Sequence, residues 1–479
     1  MPPAIASVVF VLGIVGLFWL DRDRDTQTSK ALWIPVIWLA IAASRPVSAW
    51  FNMSPPTGQP SAYLEGSPVD RVVLAALLTL GLIVLIKRGR QVSSLLKANV
   101  AIILFFAYCA ISTSWSDFPA VSFKRWIKAL GDLVMVLIVL SDIDPAAAVK
   151  RLLARTSFLL IPFSMLVIKY YPALGRGYNH FTWVPYYSGV ATDKNSLGLL
   201  CLVCALGAAW QVYSALHSEE TPHKRRHLIA QSVLLTMAVW VLWTANSVTS
   251  LSCFVMGVLI IVATRGFKLD RKPIAAHILV FVVLLFSFSV VFLDAANVLL
   301  EVLGRNPTLT GRTDIWTHVI PLNPNPLLGA GYESFWLGER LEKMWSIYWW
   351  HPNEAHNGYL EIFLNLGWIG VVLLAILMVT GYRNAFAEFR SSPETGRIKL
   401  AYFVAAAAYS FSEAGFRELS PIWFFFLLAT AAVPTPLPAP EIASEFDFSL
   451  ADDSANSMSS FGAAANLELQ QEYVDEEIT

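Results

Sequence analysis

His356 opens the run HNGYLEIFLNLGWIG, residues 356–370, with Asn357, Glu361 and Asn365 following at four-residue steps. On a helix that spacing gives one slowly drifting stripe, and a carboxylate in the first turn is favoured by the helix dipole. Polar groups in an otherwise apolar run are costly and turn toward a cavity or a neighbouring helix. Asn357 and Glu361 are therefore candidate substrate-binding residues, with hydrogen bonding between helices as the other reading of the asparagines. His356 sits just ahead of the helix, where an imidazole can act as a base near neutrality.

Cations accompany it in the sequence. Arg312 lies in LTGRTDIW (309–316); it can bind an anion, or pair with Asp314 or Glu333. GAGYESFW (329–336) adds Tyr332, and its glycines allow close backbone approach to a ligand. Arg176 follows Gly175, and ATDKNSLG (191–198) leads into a helix that Asn195 or Ser196 can cap. Lys194 at that helix start does nothing for the dipole, which favours a ligand role. Arg176, Lys194 and Arg312 with His356 make chemistry for a substrate carrying a diphosphate leaving group, since the arginine fork binds phosphate bidentately. No carboxylate pair is expected beside them, so neither a metal nor another cofactor is required.

The elements that must hold these residues are membrane helices. The chain is 56% hydrophobic and only 14% charged, against about 25% charged in soluble domains. Its apolar residues come in runs long enough to span a bilayer. About thirteen spans are expected, near 3–20, 31–51, 71–87, 98–113, 121–140, 155–170, 195–215, 228–244, 248–264, 276–293, 358–381, 397–415 and 419–434. The fold class is thus an all-α polytopic membrane protein. Lys128 with Asp132, and Glu413 with Arg417, are four apart and can neutralise each other within their spans. Arg45 has no such partner in sequence. The four cysteines fall inside apolar runs and read as packing residues.

Alternate loops carry 21 of the 34 Lys and Arg, which puts those loops in the cytoplasm and the N-terminus outside. Two outer segments result, 171–194 and the longer 294–357, the latter rich in Trp and Tyr that suit an interfacial belt or a sugar-stacking surface. The membrane domain ends near 434. Residues 435–479 carry ten acidic and no basic residues and read as a disordered cytoplasmic tail.

TGRTDIW, GAGYESFW and HNGYLEIFLNLGWIG together resemble the signature region of the O-antigen ligase/polymerase (Wzy-type) family, and SGVATDKNSLG resembles its earlier outer-loop motif. ALWIPVIWLAIAASRPVSAWF and YLEGSPVDR look more specifically like exopolysaccharide polymerases of that family. The resemblance covers residues 1 to about 434. It implies a metal-independent glycosyltransferase on the periplasmic face of the bacterial inner membrane, moving an undecaprenyl-diphosphate-linked glycan onto an acceptor hydroxyl. It also implies that His356 and Arg312 are the catalytic residues, with Arg176 as a looser match to a second arginine.

Three functions follow as expectations. The first is a polymerase of lipid-linked repeat units, with Arg176 and Arg312 on the diphosphate and His356 as base, oriented by Asn357 or Glu361. The second is a ligase of the same chemistry acting on lipid A-core or a protein. The third is a transporter, disfavoured because the candidate residues gather at one membrane face. The expected partners are the lipid-linked oligosaccharide and membrane lipid, with flippase and chain-length or export proteins as candidates, and no nucleic acid.

Overall fold

The structure, a computed structural model, describes residues 1–23, 27–53, 62–178, 184–219, 223–292 and 310–434, less the side chains of 62, 65, 290 and 310–312. The acidic tail and the 294–309 stretch of the long outer segment lie outside the described residues.

The fold is all-α and polytopic. Each expected span overlaps a helix, and among the described residues seven helices are long and apolar enough to cross a membrane. An eighth is counted if Gly89–Ala98 and Val100–Trp115, bent by 88°, make one span. The shortfall has local causes. The expected 31–51 span breaks at Arg45-Pro46, leaving Trp33–Ala42 and the single turn Val47–Trp50. The helix Pro119–Leu140 is long enough, but carries Lys124, Arg125, Lys128 and Asp132.

Apolar faces point outward where lipid must be. Val8, Leu12, Val15 and Trp19 of Pro3–Leu20 are exposed, as are Val72, Leu80 and Ile86 of Pro68–Lys87. Inside, Lys194–Leu216 packs against Lys224–Ala245, Val248–Gly266 and Pro145–Tyr170. The Tyr402 hydroxyl donates to the Val203 carbonyl, giving that buried ring a satisfied polar end.

The described parts of segments 171–194 and 294–357 carry regular elements. In the first, Arg176–Tyr178 pairs antiparallel with Pro185–Tyr187, Arg176 opposite Tyr187. Arg45 pins this hairpin: Nε donates to the Ala191 carbonyl at 3.0 Å, and the same guanidinium reaches the carbonyls of Leu174 and Gly189. The role of Arg45 is thus to satisfy carbonyls that no regular element pairs.

In the second, Thr310–Val319 and Gly338–Ile347 close over a core of their own, which includes Ile315, Phe335, Trp336, Leu341, Met344 and Leu364. Two loop glycines seat it on the membrane helices. At Gly329 (φ +72°) a Cβ would meet the Asn365 backbone at 2.4 Å; at Gly331 (φ +91°) it would meet Ser116. Their freedom serves contact with protein, not with a ligand.

Candidate functional site

The stripe Asn357–Glu361–Asn365 builds the scaffold of the site. Asn357 caps the helix Gly358–Ser391, accepting from the Tyr359 and Leu360 amides, while its Nδ2 donates to the Phe411 carbonyl. Asn365 Oδ1 accepts from the amides of Ser334 and Phe335. Glu361 is buried and accepts from Trp336 Nε1 at 3.0 Å and from the Ala355 amide. These three residues fasten two loops to one short helical stretch, which breaks at Gly367 (φ +63°) before continuing. Asn357 and Glu361 therefore do not orient His356, as the sequence suggested; both are committed to backbone and indole partners.

The His356 imidazole is held instead by two carboxylates. Its Nδ1 lies 2.9 Å from Glu354 Oε1 and 3.2 Å from Glu413 Oε2. Glu413 arrives through a close approach at Gly358, whose amide donates to the Ser410 carbonyl at 2.8 Å and whose missing Cβ would press on Ser410 and Gly415. Burial alone would lower the His356 pKa, but Glu354 and Glu413 outweigh it and push the value up to about 10. At neutral pH His356 is an imidazolium. The base near neutrality expected from sequence is corrected to a cation, with Nε2 free of hydrogen bonds among the described residues.

The carboxylate pair is also a correction, because the sequence showed none on this face. Glu413 and Arg417 do not pair with each other: residues 410–420 leave the helix, so a spacing of four no longer aligns them. Arg417 Nη1 binds Glu354 Oε2 at 2.9 Å instead. Burial works against the Arg417 charge, but Glu333, Glu354, Glu418 and Glu361 around it raise its pKa well above the usual value. Glu354, His356 and Glu413 place ligand atoms within 4.8 Å of one another, a donor set that also suits a divalent cation. Glu333, His356 and Leu419 all hold positive φ (50°, 51° and 55°), so three non-glycine residues around this cluster are in a strained backbone region.

These residues face a cavity of about 1160 Å³. The structure brings His356, Lys194 and Asn195 together in its lining, with Glu354, Glu413 and Arg417. The cap of the Lys194–Leu216 helix is Asp193, which accepts from the Asn195 and Ser196 amides at 2.8 and 3.0 Å. Neither Asn195 nor Ser196 is the cap, and the Asn195 side chain is left for the cavity.

Other candidates lie elsewhere. Arg176 is outside the lining: Nε donates to the Ile168 carbonyl at 2.9 Å and the guanidinium stacks 5.6 Å over Tyr187. Tyr332 is buried, with its amide on Ser112 Oγ and its carbonyl on Ser122. It is a packing residue, not a ligand contact. Arg312 lies in the first turn of the helix Thr310–Val319, and its side chain lies outside the described residues; its alternative partner Asp314 accepts from the Tyr348 hydroxyl at 2.7 Å. Among the loop tryptophans, Trp336 and Trp345 are tied down through their indole nitrogens, whereas Trp350 stacks 6.4 Å from the His356 ring.

Sequence reasoning missed Glu354 and set aside Glu413 and Arg417. The available signal was SEAGFRELSP (412–421), where Gly415 and Pro421 accompany two acids and an arginine inside an apolar region, a pattern that belongs to a loop.

Residues 232–375, which include the whole HNGYLEIFLNLGWIG run, match the family described as O-Antigen ligase. Over that stretch the chain is similar to the O-antigen ligase/polymerase family. It is similar as well to the exopolysaccharide production protein ExoQ of Rhizobium meliloti, 24% identical over 59% of this chain and 64% of the relative. It is also similar to putative polysaccharide ligases of Rickettsia prowazekii (23% identical, 64% of this chain, 71% of the relative) and Rickettsia felis (25%, 60% and 69%). The chain thus covers just under two thirds of the length of the Rhizobium relative. The matched stretch includes His356, and the apolar helices make the chain a multi-pass membrane protein.

Proposed function

We propose that this chain polymerises exopolysaccharide repeat units, transferring an undecaprenyl-diphosphate-linked glycan to an acceptor sugar hydroxyl at the periplasmic face of the bacterial inner membrane. The observation that carries this reading is the single cavity whose lining includes His356, Lys194 and Asn195. A diphosphate leaving group gains negative charge as the glycosidic bond breaks, and fixed cations in a site shielded from water stabilise that charge most.

In this reading His356 donates from Nε2 to a diphosphate oxygen while Glu354 and Glu413 keep the ring charged and oriented. Lys194 adds a second cation, and Arg312 a third by its place in the T-G-R motif. The acceptor oxygen bonds to the anomeric carbon as the bond from that carbon to the diphosphate oxygen breaks. The hydroxyl proton passes to the Glu354–His356–Glu413 cluster, which holds one shared proton between three groups and titrates as a unit. Because that proton already joins the three groups and Arg417 neutralises Glu354, the site as proposed uses no resident metal.

The name of the Rhizobium relative supports exopolysaccharide as the product, and the names of the Rickettsia relatives support the alternative, ligation of finished glycan to a separate acceptor. Deleting the gene and sizing the glycans left on the lipid carrier separates them. Single repeat units with loss of secreted polymer support the polymerase. Long lipid-linked chains would transfer the assignment to a ligase, and unchanged glycans would reject both.

A further inference from the structure

Lys128 lines the same cavity. Spacing along the Pro119–Leu140 helix assigns it Asp132 as partner, but that carboxylate is already used: Oδ1 accepts from Trp38 Nε1 at 2.7 Å and Oδ2 from the Leu419 amide at 2.9 Å. Of the other carboxylates in the lining near this helix, Asp70 accepts from Ser48, and Glu418 forms no ion pair with Lys128 among the described residues. Lys128 has no hydrogen-bond or ion-pair partner among those residues, although it is half-buried.

Its neighbours on the helix fix where it points. Arg125, three residues earlier, donates to the Glu333 and Tyr63 carbonyls, and Asp132, four later, holds Leu419. Residues 125, 128 and 132 lie along one helical face. Lys128 therefore stands between two contacts to the loops that carry the site, one of which, 410–420, delivers Glu413 and Arg417. A half-buried ammonium that lines a cavity and meets no counter-charge among the described residues is placed to bind a charged ligand.

We propose that Lys128 contacts a phosphate of the donor, as a binding cation additional to Lys194. The proposal rests on the reading that the donor is a lipid-linked diphosphate.

The test uses the purified full chain in lipid nanodiscs, with farnesyl diphosphate as probe and farnesol as its uncharged control. Wild type should bind the diphosphate more tightly than the alcohol. Lys128→Met should weaken diphosphate binding about tenfold, as loss of one charge-assisted contact does, and leave farnesol binding unchanged. Lys128→Arg should restore most of the affinity. Because Lys128 satisfies no polar group among the described residues, Lys128→Met should unfold at or above the wild-type temperature. Unchanged diphosphate affinity in Lys128→Met, or a lower unfolding temperature, would overturn the role of Lys128 alone. If wild type does not distinguish the diphosphate from the alcohol, the diphosphate-donor reading itself fails.

Discussion

His356 Nδ1 and Glu413 Oε2 lie 3.2 Å apart across 57 residues of sequence, and this contact joins the family's signature run to the loop before the last described helix. The imidazole is therefore positioned from outside its own motif. Glu413→Gln keeps the shape and removes the charge. It should lower turnover about 10- to 100-fold, the range seen when the partner that orients a functional imidazole is lost. Unfolding temperature should change little, and a transfer assay on the purified variant decides the point. Wild-type turnover would mean that Glu354 alone positions the ring.

The pH dependence has a definite sign. The folded protein favours the imidazolium, with the His356 pKa raised from 6.5 to about 10. Its contribution to stability is complete below pH 6.5 and is lost as pH rises through 10. If the charged ring is the working form, activity holds across neutral pH and falls as pH approaches 10, while a neutral base would show activity rising there. In Glu413→Gln the fall should move to lower pH by more than about one unit, since one of the two groups that hold the proton is gone.

Arg176 and Lys194 should separate in their effects. Arg176 serves the hairpin through the Ile168 carbonyl and the Tyr187 ring, whereas Lys194 faces the cavity. Arg176→Ala should lower the unfolding temperature and cost less than about tenfold in transfer. Lys194→Ala should leave stability unchanged and raise the KM for the lipid-linked donor about tenfold, as loss of a charge-assisted contact does. Equal effects on donor KM would place Arg176 on the substrate as well.

The contact between the loop and the helix should be intolerant. Gly329→Ala puts a Cβ onto the Asn365 backbone at a positive φ and should destabilise the protein by about 3 kcal/mol. Glu361→Ala strands the Trp336 indole N–H and the Ala355 amide and should cost roughly 2–4 kcal/mol. Thermal unfolding in nanodiscs measures both. Ala-tolerant behaviour at either position would contradict the seating described for residues 329–336.

Local patterns were legible in the sequence and distant pairings were not. Apolar runs mark where helices lie, because lipid demands continuous stretches. The HNGYLEIFLNLG run shows a polar stripe, because four-residue spacing is a property of the helix itself. What that stripe touches depends on residues far away: Glu361 meets Trp336, and Asn365 meets the 334–335 amides. Spacing misled at Glu413 and Arg417 because residues 410–420 are not helical, and at Lys128 because Trp38 and Leu419 compete for Asp132. The break at Arg45-Pro46 was visible as a proline, but the job of Arg45, holding the carbonyls of Leu174, Gly189 and Ala191, needed the fold.

The central claim is that His356 works on a lipid-linked glycan donor. The most direct measurement incubates purified full-length protein with a labelled undecaprenyl-diphosphate repeat unit and acceptor, comparing wild type with His356→Ala at matched folded fraction. The account predicts labelled product longer than one repeat from wild type and at least a hundredfold less from His356→Ala. Equal product from the two proteins would contradict it.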